Sequence, residues 1–224
     1  MLKIVCISDV HGKWNKLVIP ECDILISTGD YSFTGEQHMV RDFHKWLNKQ
    51  KATHIISVQG NHEKWPEKNF QLAKEIATTA CPRVHFMEEG LVEVEGIKIW
   101  CSAITPYFHN WAYNRFRGED IKKHWDRIPD DLLNKPDIIA THGPAYGILD
   151  GVEKYNSLTQ KNELEHVGCE ELLKRIQEIK PKAHFFGHTH LQYGKIEVGG
   201  TTFFNCANCD DEYKLVRPPT IFEI

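Results

Sequence analysis

Short apolar runs, each halted by a polar block rich in Asp, His, Asn and Gly, recur along this chain. Leu2–Ile7, Asp23–Ser27, His54–Val58, Asp137–Thr141 and His184–Phe186 are five of them. Runs of this length, rich in β-branched and aromatic residues and closed by turn formers, read as buried strands. Between them lie helical patterns. Gln37–Lys49 puts Val40, Phe43, Trp46 and Leu47 on one face, Asn69–Thr79 does so with Phe70, Ala73, Ile76 and Ala77, and Cys169–Ile179 with Leu172, Leu173, Ile176 and Ile179. Strand and helix alternate in the first part, which predicts a mostly parallel sheet.

The later part reads differently. Leu91–Val94 and Ile97–Trp100 flank Glu95-Gly96, and Tyr193–Val198 and Thr201–Phe204 flank Gly199-Gly200. Both are hairpin signals. Thr220–Ile224 is a candidate last strand, and Pro106–Arg117 reads as an aromatic and basic loop. The expectation is a mixed α/β fold with two sheets, in one domain over residues 1–224. A chain of 224 residues buries a substantial core without staples.

Composition narrows the function. A net charge of −4 argues against sequence-blind binding to nucleic acid, which needs a basic footprint. No run approaches transmembrane length, and Met1–Ile7 is too short for a signal peptide core. The seven Cys have no framework spacing, so free thiols in a reducing cytoplasm are expected. Cys206-x-x-Cys209 has no second pair and reads as coincidence. Thirteen His are many; His38 and His44 read as surface residues, and His109 and His166 as ordinary ones.

The rest sit in the blocks that stop the strands. These are Ser8-Asp9-Val10-His11-Gly12, Thr28-Gly29-Asp30, Gln59-Gly60-Asn61-His62-Glu63, His142-Gly143-Pro144 and Gly187-His188-Thr189-His190. Open α/β sheets bind ligands beyond the carboxyl ends of their strands. Five strand ends therefore bring Asp9, His11, Asp30, Asn61, His62, His142, His188 and His190 toward one edge. Each block alone reads as a turn or a helix start; five in order do not. Imidazole with carboxylate suits Mn, Fe, Zn, Ni or Co, and the absence of Cys argues against structural zinc.

This series resembles the calcineurin-like metallophosphoesterases over residues 4 to 205. The closer resemblance is to the metallophosphoesterase-domain subfamily first described from brain, through His142-Gly143-Pro144 with Gly147 and Asp150, through Trp111–Gly118, and through Asn205-Cys206-Ala207 with Pro218-Pro219. The resemblance implies a four-layer α/β/β/α sandwich of two mixed sheets. It implies two divalent cations, Mn favoured, with Asp9, His11 and His190 on the first, Asn61, His142 and His188 on the second, and Asp30 bridging. His62 and Asp30 would be catalytic, with His62 facing the phosphate. The implied reaction is phosphodiester hydrolysis by a hydroxide bridging cations roughly 4 Å apart. One departure is visible: many relatives carry an acid three residues after the bridging aspartate, where this chain has Phe33.

The substrate expected is a small phosphorylated molecule, a nucleotide, with cyclic nucleotides among the candidates. Alternatives are a nuclease, using the modest basic set Arg115, Arg117, Lys122 and Lys123, a phosphomonoesterase or phosphoprotein phosphatase, and a non-catalytic scaffold of the same fold. Trp111, Tyr113, Asn114, Arg115 and Tyr146 are candidates to contact the substrate, unless that loop packs its own aromatics. Glu63 either orients His62 or is a solvated helix-start acid. Oligomeric state varies among relatives, so a homo-oligomer stays open.

Overall fold

The computed structural model of the chain describes residues 1–157 and 159–224. Strands β1 (Lys3–Ile7), β2 (Cys22–Thr28), β3 (Ala52–Val58) and β4 (Val84–Met87) pair parallel in that order, and β15 (Thr220–Glu223) lies antiparallel along β1. Successive side chains of these strands point to opposite faces. Val5, Ile7, Leu25 and Ile55 face a cluster with Val40, Phe43 and Leu47 of helix α1 (Gln37–Leu47) and Ala73 and Ala77 of α3 (Phe70–Ala80). Ile4, Cys6, Ile24, Ile26, Ile56 and Val58 face the second sheet. Both faces are covered, which is why these strands read as unbroken apolar runs.

The second sheet has the order β13-β14-β12-β9-β6-β5. β5 (Glu89–Val94) and β6 (Ile97–Ser102) form the first expected hairpin, with Val94 opposite Ile97. β13 (Gly194–Val198) and β14 (Thr201–Asn205) form the second, with Val198 opposite Thr201. Both two-residue turns have positive φ throughout, +52° and +74° at Glu95-Gly96 and +62° and +86° at Gly199-Gly200, the combination that joins twisted strands tightly. In the middle, β9 (Ile138–Thr141) and β12 (Ala183–Phe186) are parallel to each other and to their outer neighbours β6 and β14.

Helices α4 (Glu119–Trp125) and α5 (Glu170–Ile179) bury Ile121, Trp125, Leu172, Ile176 and Ile179 in the same cluster as this sheet. The layers are therefore α1 and α3, first sheet, second sheet, α4 and α5. Four pieces had no clear signal in the sequence: the short helix α2 (Lys64–Lys68), α4, β4, and the antiparallel ribbon β10 (Gly151–Asn156) with β11 (Lys161–His166). Within the expected loop, β7 (Thr105–Pro106) pairs briefly with β8 (Asn114–Arg115). No helix among the described residues is long and apolar enough to cross a membrane.

His44 corrects an expectation. It is not a surface residue but fully buried, with Nδ1 2.7 Å from the Val40 carbonyl and Nε2 3.1 Å from Ser57 Oγ on β3. Burial pushes it down to about 4. An unfolded histidine titrates near 6.5, so between those values the unfolded chain takes up a proton that the folded chain refuses. Stability from this group is complete above about pH 6.5 and falls as pH drops toward 4, by roughly 3 kcal/mol in all. Urea midpoints between pH 7 and pH 4.5 should therefore fall more steeply for the wild type than for His44→Gln. Parallel slopes would show that another group carries the acid sensitivity.

Candidate metal centre

Every block that ends a strand arrives at the seam between the two sheets. Asp9 and His11 follow β1, Asp30 follows β2, Asn61 and His62 follow β3, His142 follows β9, and His188 and His190 follow β12. The loops are zipped together before any side chain acts: Asp9 N donates to Gly29 O, His11 N to Asp30 O, and Gly187 N to His142 O. Asp9, His11, Asp30 and His188 all have left-handed backbones, with φ of +51°, +38°, +52° and +68°. Non-glycine residues in that region carry strain, and strain of this kind gathers where side chains must be aimed.

Two trios result. In the first, His11 Nε2 lies 3.3 Å from His190 Nε2, which lies 3.3 Å from Asp9 Oδ1. In the second, Asn61 Oδ1 is 2.8 Å from His142 Nε2 and 2.7 Å from His188 Nδ1, and those two nitrogens are 3.2 Å apart. Asp30 stands with both. Its Oδ2 is 3.4 Å from His142 Nε2, and it forms close groups with Asp9 and His142 and with His11 and His62. All the residues of both trios, Asp30 and His62 are buried except His188 and His190, which are partly buried.

The hydrogen bonds behind the rings decide what these atoms offer. His142 Nδ1 is 2.8 Å from Thr28 O, His190 Nδ1 is 3.0 Å from Asp210 O, and His62 Nδ1 is 2.8 Å from Phe33 O. A carbonyl only accepts, so each Nδ1 carries a proton, and in its neutral form the ring turns a lone pair inward from Nε2. Metal-ligating histidines are held this way by the groups behind them. His11 Nδ1 is buried with no hydrogen-bond partner among the described residues, so no carbonyl stands behind its ring as it does for the others. Lone pairs and carboxylate oxygens converging at 2.7–3.4 Å form a donor set that fits divalent cations.

The charges agree. Burial opposes a charge on Asp9, but His190 outweighs it and holds the carboxyl at about 2. Asp30 is likewise opposed by burial and held still lower by His142 and His62. Burial keeps His11 and His188 down at about 4, so both are neutral donors. Burial also acts to lower His142, but Asp30 reverses it and drives the ring up to about 9; a proton there answers the same carboxylate that a cation would.

Glu63 is not solvated, and its hydrogen bonds among the described residues go elsewhere than the His62 ring. It is fully buried. Its Oε2 accepts from Asp30 N and Gly60 N, both at 2.8 Å, and its Oε1 from Ser32 N at 3.3 Å and Ser32 Oγ at 3.2 Å. Burial and then the charge of Asp30 push it up to about 8, and the backbone donors offset part of that rise. It ties the Asp30 loop to the Asn61 loop, and Asp30 in turn accepts from His62 N at 2.9 Å.

The expected substrate residues divide. Trp111 reaches the site, its ring 4.2 Å from that of His62. Tyr113 is buried and Tyr146 packs on His166. The Asn114 side chain is spent on Thr105, Phe108 and His109 within its own loop, and Arg115 turns to His124 and the Asn114 carbonyl. Missing from the sequence reading were Glu63 as a lock, the rings of Phe33 and Tyr213 against His11, and Lys64 over Trp111. Phe33 had a signal, its place three residues after Asp30; Tyr213 had none.

Comparison with known proteins agrees with this geometry. The chain is 30% identical over 246 residues to the human metallophosphoesterase domain-containing protein 1, across 99% of this chain and 71% of that protein. It is 28% identical over 235 residues to a Caenorhabditis elegans protein of the UPF0046 group, across the whole chain and 75% of the relative. Among solved structures, phosphopantetheinyl hydrolase from Mycobacterium tuberculosis superposes with a TM-score of 0.63 at 14% identity, over 94% of this chain and 90% of that one. A protein from Thermus thermophilus follows at 0.58 and 13%, over 92% and 89%. Those two speak for the fold alone. The profile of the calcineurin-like phosphoesterases matches residues 2–192, and with the two trios at the seam of its sheets this chain belongs to that family.

Proposed function

We propose that the chain hydrolyses phosphodiester bonds of small nucleotides, cyclic nucleotides among them, with two divalent cations. The observation that supports this reading most is the pair of trios sharing Asp30. Asp9, His11 and His190 would hold one cation, Asn61, His142 and His188 the other, and Asp30 would touch both. Mn is the favoured metal. When bound, the cations supply Lewis acidity toward the phosphoryl group and lower the pKa of water.

The chain's own residues do the rest. His62 stands beside Asp30, its Nε2 3.8 Å from Oδ2, and its other nitrogen is occupied by Phe33 O. When protonated, Nε2 donates to a phosphoryl oxygen or gives its proton to the departing alkoxide. Trp111 packs against the His62 ring and limits its rotation. The seam is buried, so donors and charges there act with little screening by water.

A small substrate is favoured over a polymer. Of the basic set that a nuclease would use, Arg117 pairs with Glu170, Lys122 with Asp126, and Arg115 is turned to His124. The seven thiols are all buried and unpaired, Cys206 and Cys209 included, which supports a reducing, cytoplasmic setting.

The Mn-supplied protein is expected to hydrolyse bis-p-nitrophenyl phosphate and cyclic AMP and to stop in excess chelator. His62→Gln should keep its cations and lose about 10²–10⁴-fold in rate. Turnover indifferent to chelator, or an inert Mn-loaded protein, defeats the reading. Preference for single-stranded DNA over cyclic AMP moves it to a nuclease.

A further inference from the structure

Two aromatic rings that belong to none of the five blocks stand at the mouth of the site. Phe33 is 46% exposed and Tyr213 is 39% exposed. Their rings meet at 5.5 Å and 54°. Each also touches the first trio. Phe33 lies 5.2 Å from His11 at a shallow 31°, and Tyr213 meets His11 edge-on at 4.7 Å and His190 edge-on at 5.4 Å. Large apolar rings left half in water beside a buried polar cluster mark a contact surface.

Neither ring is placed casually. Tyr213 has φ of +58°, a strained value for an aromatic residue. A tight turn holds it there: Tyr213 N donates to Asp210 O, and Glu212 N and Lys214 N both donate to Asp210 Oδ1. The same Asp210 carbonyl accepts from His190 Nδ1, so one turn fixes both a candidate ligand and the ring above it. Phe33 is pinned by its own carbonyl, which holds His62. Trp111 differs. It lies against His62 and has the Lys64 ammonium 4.1 Å from its ring centroid, so its contacts go to positioning His62. Phe33 and Tyr213 by contrast offer exposed aromatic surface beside the first trio, with the Lys13 ammonium 5.4 Å from the Phe33 ring centroid.

We propose that Phe33 and Tyr213 form a stacking lip for the planar ring of the substrate, a nucleobase, and so decide which phosphodiesters the site accepts. The proposal rests on the phosphodiesterase reading above and sharpens it. An aliphatic ester gives the two rings nothing to stack on and leaves them wet. A nucleobase has a flat face of its own, and such a contact shifts affinity by about 5- to 150-fold. Every base has that face, so the lip selects for a base without choosing among bases. The Lys13 ammonium, over the Phe33 ring, adds charge attraction for the anionic ester.

The test uses a matched pair. Adenosine 2′,3′-cyclic phosphate and glycerol 1,2-cyclic phosphate share the five-membered cyclic diester and differ in the nucleoside body. The Mn-loaded wild type should favour the adenosine compound by about tenfold or more in kcat/KM. Phe33→Leu and Tyr213→Leu should each cut that ratio by about fivefold or more, mainly through KM, in line with one lost stacking contact. Phe33→Tyr should restore it. Cation content measured on each variant confirms that the trios are intact. A wild-type ratio near one, or a ratio that survives both leucine variants, overturns the lip while the hydrolase stands. Failure to turn over either diester or bis-p-nitrophenyl phosphate removes the phosphodiesterase reading, and the lip with it.

Discussion

Asp30→Ala should give a folded protein that retains neither cation and hydrolyses diesters on the order of 10³-fold more slowly, the scale on which single groups at the reacting centre act. Asp30 stands close to both trios, grouped with Asp9 and His142 and with His11, and its removal would take a proposed donor from each. Four charged or ligating neighbours lean on it: His142 at 3.4 Å, His62 at 3.8 Å, and His11 and Asp9 in the same close groups. The loop itself should persist, because Glu63 holds it through the Asp30 backbone N–H and not through the side chain. Stability without metal should fall, because His142 and His62 lose the carboxylate they hold ionised and His62 N loses its acceptor, with part of the loss offset by relief of Asp9 and Glu63 from a like charge. Metal analysis beside a thermal melt checks both halves. A variant that keeps two cations per chain refutes the bridging assignment; one that loses its fold refutes the account of the loop.

Gly60→Ala and Gly187→Ala should be nearly as damaging by another route. A Cβ at Gly60 would stand 2.3 Å from Asp30 Oδ1 and 2.5 Å from Asp30 N. At Gly187 it would stand 2.0 Å from Asp9 Oδ2 and 2.1 Å from Ser8 Oγ. These are not flexible tips that swing aside. Asp30 N is fixed by Glu63, Asp9 Oδ2 is held by His188 N at 2.9 Å, and Ser8 Cβ, 2.6 Å from the added carbon, cannot rotate away. Overpacking of this severity costs about 3 kcal/mol or more, roughly 10 °C in melting temperature at this size, and it displaces a carboxylate from its trio. Gly143→Ala serves as the comparison, since its Cβ would meet nothing nearer than a Thr105 methyl at 3.0 Å and should cost much less. Differential scanning with and without Mn reads the effect: the wild type should gain stability from the metal and the two damaging variants should not. Equal gains in all would show that the loops yield.

Much of this site is legible in the chain because chemistry and position coincide in each block. A strand buried on both faces announces itself, and the residues after it are then known to lie at one edge. His44 misleads for the opposite reason. It sits at i+4 from Val40 and three before Leu47, in the buried stripe of α1, but its residue type suggests solvent. Glu63 is ambiguous in sequence because its partners Asp30, Ser32 and Gly60 come from two loops that only the tertiary fold brings together. In the ribbon β10–β11, all of β11 and the middle of β10 are exposed, so it has no alternation to read. Tyr213 lies in a charged turn whose only distinction, a positive φ, belongs to the folded backbone.

The seam has a consequence for the order in which the molecule is made. Asp9, His11 and Asn61 come from the first sheet, while His142, His188 and His190 come from the second, so each trio is split between the two. A chain emerging from its N-terminus can assemble β1 to β4 early, since these pair with near neighbours in sequence. At that stage, counting Asp30 for both, it offers three residues of one proposed cation site and two of the other. Neither trio closes until β12, made only at Ala183–Phe186, has been laid beside β9. On the proposed assignment cation capture would come late in assembly, and a half-made chain would present no complete cage for the wrong ion to fill.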